Sequence, residues 1–152
     1  MSTQRLAAQE GRITDAMRHV AAEEGISVEE VRSALVTGEA AIPANPAHTS
    51  LVPKGVGKPF TVKVNANLGA SPISSGTDEE VAKMEWAVRW GADTVMDLST
   101  GGDLDACRDA ILRASTVPVG TVPIYSMILD RKIEDLDEEA VITTIRHQAA
   151  QG

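Results

Sequence analysis

The stretch Asp93-Thr94-Val95-Met96-Asp97-Leu98 runs into Ser99-Thr100-Gly101-Gly102 and then Asp103, behind which Leu104, Cys107, Ile111 and Leu112 recur at helical spacing. A short apolar run, a cluster of turn residues and a capping aspartate before a 3.6-residue stripe together predict strand, turn and helix. The same unit is repeated on both sides. Upstream, Phe60 to Asn67 carries the β-branched residues Thr61, Val62 and Val64 and ends at Leu68-Gly69-Ala70-Ser71-Pro72, which cannot continue a strand. Thr77 with Glu80 three residues on predicts a capping box, and Val81, Met84 and Val88 form a stripe that stops at Gly91. Trp86 and Trp90, one turn apart, read as core packing. Downstream, Val117 to Ile124 predicts a third strand and Asp135 to Gln151 a closing helix, acidic in its first turn. Strand and helix alternating three times argue for an α/β fold with parallel strands and right-handed crossovers.

Ahead of these units the chain reads differently. Ile13, Met17, Val20 and Ala21 predict a helix ended by Gly25, and Ser27 with Glu30 predicts a capping box on a second helix that carries Val28, Val31 and Leu35 and ends at Gly38. From Ile42 to Phe60 there are four prolines, at 43, 46, 53 and 59, with Gly55 and Gly57. That composition predicts a surface arm, long enough to be functional or a connector. The expected division is residues 1–58, a helical segment with the proline-rich arm, and residues 59–152, the strand-helix units.

Composition narrows the function. Of 152 residues, 22 are Asp or Glu and 14 are Lys or Arg, a formal charge of −8. No basic cluster is present, so nucleic acid is not expected as a partner. Mean hydropathy is −0.08 and no apolar run approaches a membrane span, so no membrane association is expected. The first ten residues lack the apolar core of a secretory signal, which points to the cytoplasm. The single cysteine, Cys107, excludes an internal disulfide and any cluster or zinc site built from cysteines of this chain alone.

In parallel α/β folds ligands bind at the carboxyl ends of strands. Asn67, Met96 and Tyr125 fall at or beside the three predicted strand ends and recur every 29 residues, about one strand-helix unit. Asn65 and Asn67 place two amides there, either to bind a small polar ligand or to satisfy loop backbone. Met96 to Gly102 reads either as an anion-binding nest or as a plain turn with Asp103 capping the next helix. Tyr125 is either a ligand anchor or a rim residue over the core. His19, His48 and His147 have no partners at metal-ligand spacing, and Cys107 reads as a small buried side chain.

Four strings carry a resemblance: Ile42-Pro43-Ala44-Asn45; Val62-Lys63-Val64-Asn65-Ala66-Asn67-Leu68-Gly69; Trp86 through Gly101; and Pro118-Val119-Gly120-Thr121-Val122-Pro123-Ile124-Tyr125. Together they closely resemble the phosphomethylpyrimidine synthase family of thiamine biosynthesis, from about Gly11 to the last residue. The resemblance implies a radical S-adenosylmethionine lyase. Its reaction converts aminoimidazole ribonucleotide to hydroxymethylpyrimidine phosphate, releasing formate and carbon monoxide. It further implies a (β/α)₈ barrel, a C-terminal C-x-x-C-x-x-x-x-C segment holding a [4Fe-4S] cluster, a zinc site and a homodimer in full-length members. Asn67, Met96 and Tyr125 match substrate-contacting positions of the family. The run Ala70-Ser71-Pro72-Ile73 departs from the pattern, where Asn-Ser is more usual after Gly69.

Three strand-helix units are too few for a complete barrel, so the expected fold is an N-terminal helical segment followed by the first three units of an incomplete (β/α)₈ barrel. The chain is expected to be the front part of the enzyme, with part of the substrate cradle and no catalytic or metal-ligating residues of its own. Two alternatives stay open. One is the related 5-hydroxybenzimidazole synthase, which uses the same substrate and cluster, although the Trp90 to Gly101 string looks more like the thiamine enzyme. The other is a non-catalytic truncated product with an unpaired sheet edge.

Overall fold

A computed structural model describes residues 3–129 and 132–152. The chain forms two compact units, Met1–Ala44 with Val52–Lys63, and Asn45–Leu51 with Val64–Gly152.

The first unit is built on three helices, α1 (Gln4–Gln9), α2 (Asp15–Glu24) and α3 (Val28–Thr37). α1 is an addition to the two expected helices; it is a single capped stretch too short to show a stripe, held by the Thr3 side chain at Leu6 N–H. The capping box on α3 is present as expected: Ser27 accepts from Glu30 N–H and Glu30 reaches back to Ser27 N–H. Gly25 and Gly38 end α2 and α3 at φ 67° and 79°, the left-handed region that glycine enters without a Cβ penalty. Met17, Val20, Val31 and Leu35 are fully buried among Ala7, Ala8, Ile42 and Phe60. Each fully buried large side chain contributes about 1.5–3 kcal/mol. The proline-rich arm is not one open loop. Strand β1 (Ala40–Ala41) pairs antiparallel with β2 (Val56–Gly57), while residues 45–51 belong to the second unit.

The second unit contains a three-stranded sheet of order β3 (Asn65–Leu68), β4 (Thr94–Asp97), β5 (Val119–Thr121), parallel throughout. Helix α4 (Thr77–Arg89) connects β3 to β4, and α5 (Leu104–Ala114) connects β4 to β5. After β5 come α6 (Pro123–Ile128), a 3₁₀ turn (Ile133–Asp135) and α7 (Glu138–Gln151). The core of the unit packs Leu68, Val95 and Val117 against Met84, Cys107 and Ile111. This is the mixed α/β architecture expected, with alternating strands and helices.

Several boundaries differ from expectation, each for a local reason. Phe60 to Val64 is not strand: Phe60 is buried in the first unit, Thr61 and Lys63 bond Glu24 there, and Val62 is 94 % exposed. The third strand is only Val119–Thr121, because Pro123 starts α6 at a position where proline is well tolerated. The closing helix begins at Glu138, capped by Asp137, rather than at Asp135. Trp86 and Trp90 are not core residues; they are 61 % and 73 % exposed and stack on each other with centroids 6.0 Å apart. Their one-turn spacing is equally satisfied by pairing on the outer face of α4.

Candidate functional site

Alternation along the strands sorts side chains onto two faces of the sheet. Ala66, Leu68, Val95 and Val119 pack in the core with the helices. Asn65 and Asn67 of β3, Thr94 and Met96 of β4 and Gly120 of β5 occupy the opposite face. The register places Asn67 beside Met96 and Met96 beside Gly120. Between β3 and β4 paired residues are 29 apart, so that part of the repeat is a true register. Between β4 and β5 they are 24 apart, since Val95 pairs with Val119. Tyr125, 29 beyond Met96, therefore does not sit at a strand end; it lies in α6 and is 36 % exposed.

Asn67 is exposed, Met96 half-buried, and the two amides are joined: Asn65 Nδ2 donates to Asn67 Oδ1 at 2.9 Å. Thr94 Oγ1 donates in turn to Asn65 Oδ1 at 2.9 Å. Gly120 keeps room for the methionine, because a Cβ there would lie 3.2 Å from Met96 Cγ.

The loops following β3 and β4 are held by buried side chains on the helix side. Glu80 of α4 has no exposed surface and its Oε2 accepts the Gly69 N–H at 2.6 Å, while Oε1 accepts from Ser75 Oγ and from Lys83 Nζ. Burial pushes the Glu80 carboxyl up, but the hydrogen bonds from Lys83, Ser75 and Gly69 outweigh it and hold the group below the ordinary carboxylate range. Glu80 is thus not the capping residue its spacing from Thr77 implied. The N-cap is Gly76, whose N–H is accepted by Glu79. Ser75, just before it, has φ 72°.

On the next loop, Asp97 Oδ1 accepts Ser99 N–H at 2.9 Å, and Ser99 Oγ accepts Ala70 N–H at 3.0 Å. Leu98 N–H donates to Leu68 O and Thr100 N–H to Ala70 O. These three N–H groups are spent on the βα turn itself, and Asp103 caps α5 at Ala106 N–H as expected. Arg108 Nε lies 3.7 Å from Asp97 Oδ2 and makes no hydrogen bond, although its Nη1 donates to Asp105 and Gln151.

The two loops touch backbone to backbone. A Cβ on Gly69 would lie 2.6 Å from the Leu98 carbonyl carbon, and one on Gly101 would lie 2.6 Å from that of Ser71. Both glycines are needed for close approach rather than for a turn.

The histidines do not converge. His48 is buried and its Nε2 is 2.8 Å from Ser115 O, His147 pairs with Asp105, and His19 is exposed on α2. Cys107 is buried as expected; burial pushes its thiol up, aided by the nearby Asp97 and Glu80 charges against the hydrogen bonds of Ser99 and Thr77. Among the described residues no group of three or more His, Cys, Asp or Glu side chains is arranged to hold a metal ion.

A family model described as the radical SAM ThiC family matches residues 3–152. The chain belongs to the radical SAM ThiC family. Membership ties it to synthesis of the thiamine pyrimidine by a radical S-adenosylmethionine enzyme. Radical SAM ThiC proteins of full length therefore imply a [4Fe-4S] cluster and S-adenosylmethionine. The residues here do not fit the cluster: it is held by several cysteine thiolates, and the chain has one cysteine, which is buried with its thiol pushed up by that burial. Among the described residues no helix is long and apolar enough to cross a membrane.

Asn67 and Met96 are brought together by register, whereas Tyr125 stands apart from that row on α6. Sequence reasoning missed Thr94, Glu80 and Gly120 as parts of the site. Thr94 was legible once the 29-residue register was granted, because it stands opposite Asn65. Glu80 carried a signal that pointed to the wrong role.

Proposed function

We propose that this chain supplies part of the substrate cradle of phosphomethylpyrimidine synthase. That enzyme rearranges aminoimidazole ribonucleotide to hydroxymethylpyrimidine phosphate at the expense of S-adenosylmethionine, with formate and carbon monoxide released in a carbon-carbon lyase reaction. The reading rests on family membership over residues 3–152. The observation that carries it to particular side chains is the in-register row Asn67, Met96 and Gly120 on the face opposite the helices. Asn67 and Tyr125 hydrogen-bond the ribonucleotide, and Met96 packs an apolar, adaptable surface against it.

The three parallel strands then correspond to the first three βα units of a (β/α)₈ barrel. Residues 59–152 form that part, and residues 1–58 are an N-terminal helical segment with its arm. The polar row lines the barrel's ligand-binding end, the substrate is a small molecule, and the full-length assembly is a cytoplasmic homodimer. The residues of this chain bind and orient; the cluster, its zinc and its S-adenosylmethionine belong to other parts of full-length members.

Titration calorimetry of the ribonucleotide into the chain tests the cradle. Asn67→Ala should weaken binding at least about tenfold, roughly 1.4 kcal/mol, and equal binding by the variant would refute the role of Asn67. After iron-sulfur reconstitution the chain should form no 5′-deoxyadenosine from S-adenosylmethionine; measurable product would sink the division of labour.

A further inference from the structure

The amides of the row are wired in one direction. Thr94 Oγ1 donates to Asn65 Oδ1, and Asn65 Nδ2 donates to Asn67 Oδ1, both at 2.9 Å. A carboxamide offers one acceptor oxygen and a two-proton donor on opposite prongs. With its oxygen engaged by Asn65, Asn67 presents the Nδ2 protons to whatever lies over the sheet. We propose that Thr94 and Asn65 are positioning residues that fix the Asn67 amide as a hydrogen-bond donor, so that this position selects an acceptor atom on the ligand. The inference rests on the substrate reading above for the identity of that ligand, but the polarity of the relay stands on the chain alone.

Two features make the relay a defined element rather than a chance contact. All three residues lie on one face of two paired strands, with Asn65 directly opposite Thr94 and Asn67 opposite Met96. Thr94 itself is anchored at the start of β4, where its N–H and that of Asp93 both reach Val64 O, and Asp93 Oδ2 accepts the Val64 N–H at 2.8 Å. In an aminoimidazole ribonucleotide the acceptors open to such a donor are the phosphate oxygens, the ribose oxygens and the unsubstituted ring nitrogen.

Side-chain amide exchange in the ¹⁵N-labelled chain reads the polarity without any ligand. One Asn65 Nδ2 proton should exchange slowly, while both Asn67 protons exchange at the rate of a free amide. In Asn65→Asp the carboxylate can only accept, so Asn67 must turn and its own Nδ2 proton becomes the protected one. Protection of Asn67 in the unaltered chain overturns the relay. With aminoimidazole ribonucleotide as probe, Asn65→Asp should bind at least tenfold more weakly and Thr94→Val several-fold more weakly. Thr94→Ser, which keeps the hydroxyl, should restore wild-type affinity. Wild-type affinity in both Asn65→Asp and Thr94→Val overturns the positioning role. Ribose 5-phosphate lacks the ring nitrogen and the dephosphorylated nucleoside lacks the phosphate, so loss of affinity in Asn65→Asp with only the first assigns the phosphate, with only the second the ring nitrogen, and with both the ribose oxygens. No binding of the ribonucleotide by the unaltered chain would count against the substrate reading, while the exchange pattern still decides the relay.

Discussion

Glu80 shows how much one buried side chain can do for a neighbouring site. It is the only carboxylate among the described residues with no exposed surface, and it spends that burial on the first N–H after β3, two residues beyond Asn67. Because its folded pKa is depressed, the stability it contributes is fully present above the unfolded carboxylate value of about 4.3 and is lost as pH falls through the lower folded value. Denaturant unfolding measured between neutral and acid pH should show that loss as a falling limb, and Glu80→Gln should flatten the limb while lowering stability at neutral pH by about 1–3 kcal/mol. An unchanged acid limb in the variant would mean that Glu80 is not the group being titrated. At this scale the sequence was partly misleading. Glu80 three residues after Thr77 satisfies the pattern of a capping box, but Glu79 does the capping from Gly76 and Glu80 points inward. Local spacing cannot tell which of two adjacent glutamates faces the core when the loop before the helix is what demands one of them.

Among the elements, the side-chain caps at Ser27 and Asp103 were legible, whereas those at Thr3, Thr14 and Asp137 were not. The Ser27 and Glu30 pair caps α3 as its spacing requires. Ser27→Ala should therefore cost about 1 kcal/mol in a thermal or denaturant melt, since it frees Glu30 N–H and half of the reciprocal bond. A loss of only a few tenths would show that Glu30 alone holds the turn. The three strands of the parallel sheet were found in order but not in extent, and the antiparallel pair β1–β2 was not foreseen. β-branched content predicted strand from Phe60 onward, yet the ladder with β4 begins only at Asn65, and Phe60 and Lys63 are drawn into the first unit by its core and by Glu24. The 29-residue repeat was real between β3 and β4, where helix and turns fix the register, and broke at β5, where the connection is five residues shorter in register.

Across the whole molecule, the α/β character and the alternation of elements followed from hydrophobic period and turn chemistry, which are local. What escaped notice is what depends on surroundings. Trp86 and Trp90 were expected inside and lie outside, 61 % and 73 % exposed. Both tryptophans should accordingly be quenched readily by acrylamide in the folded chain, and an apolar dye should brighten on it; protected fluorescence would place the pair in a contact between copies.

The seam at Gly69 and Gly101 has a mechanical meaning. Parallel pairing does not stop with the strands: Leu98 and Thr100 continue it onto Leu68 and Ala70, and the missing side chains let the two loops close on each other like teeth of a zip. Loops so engaged cannot open separately. Force applied to one is delivered to the other with little slack.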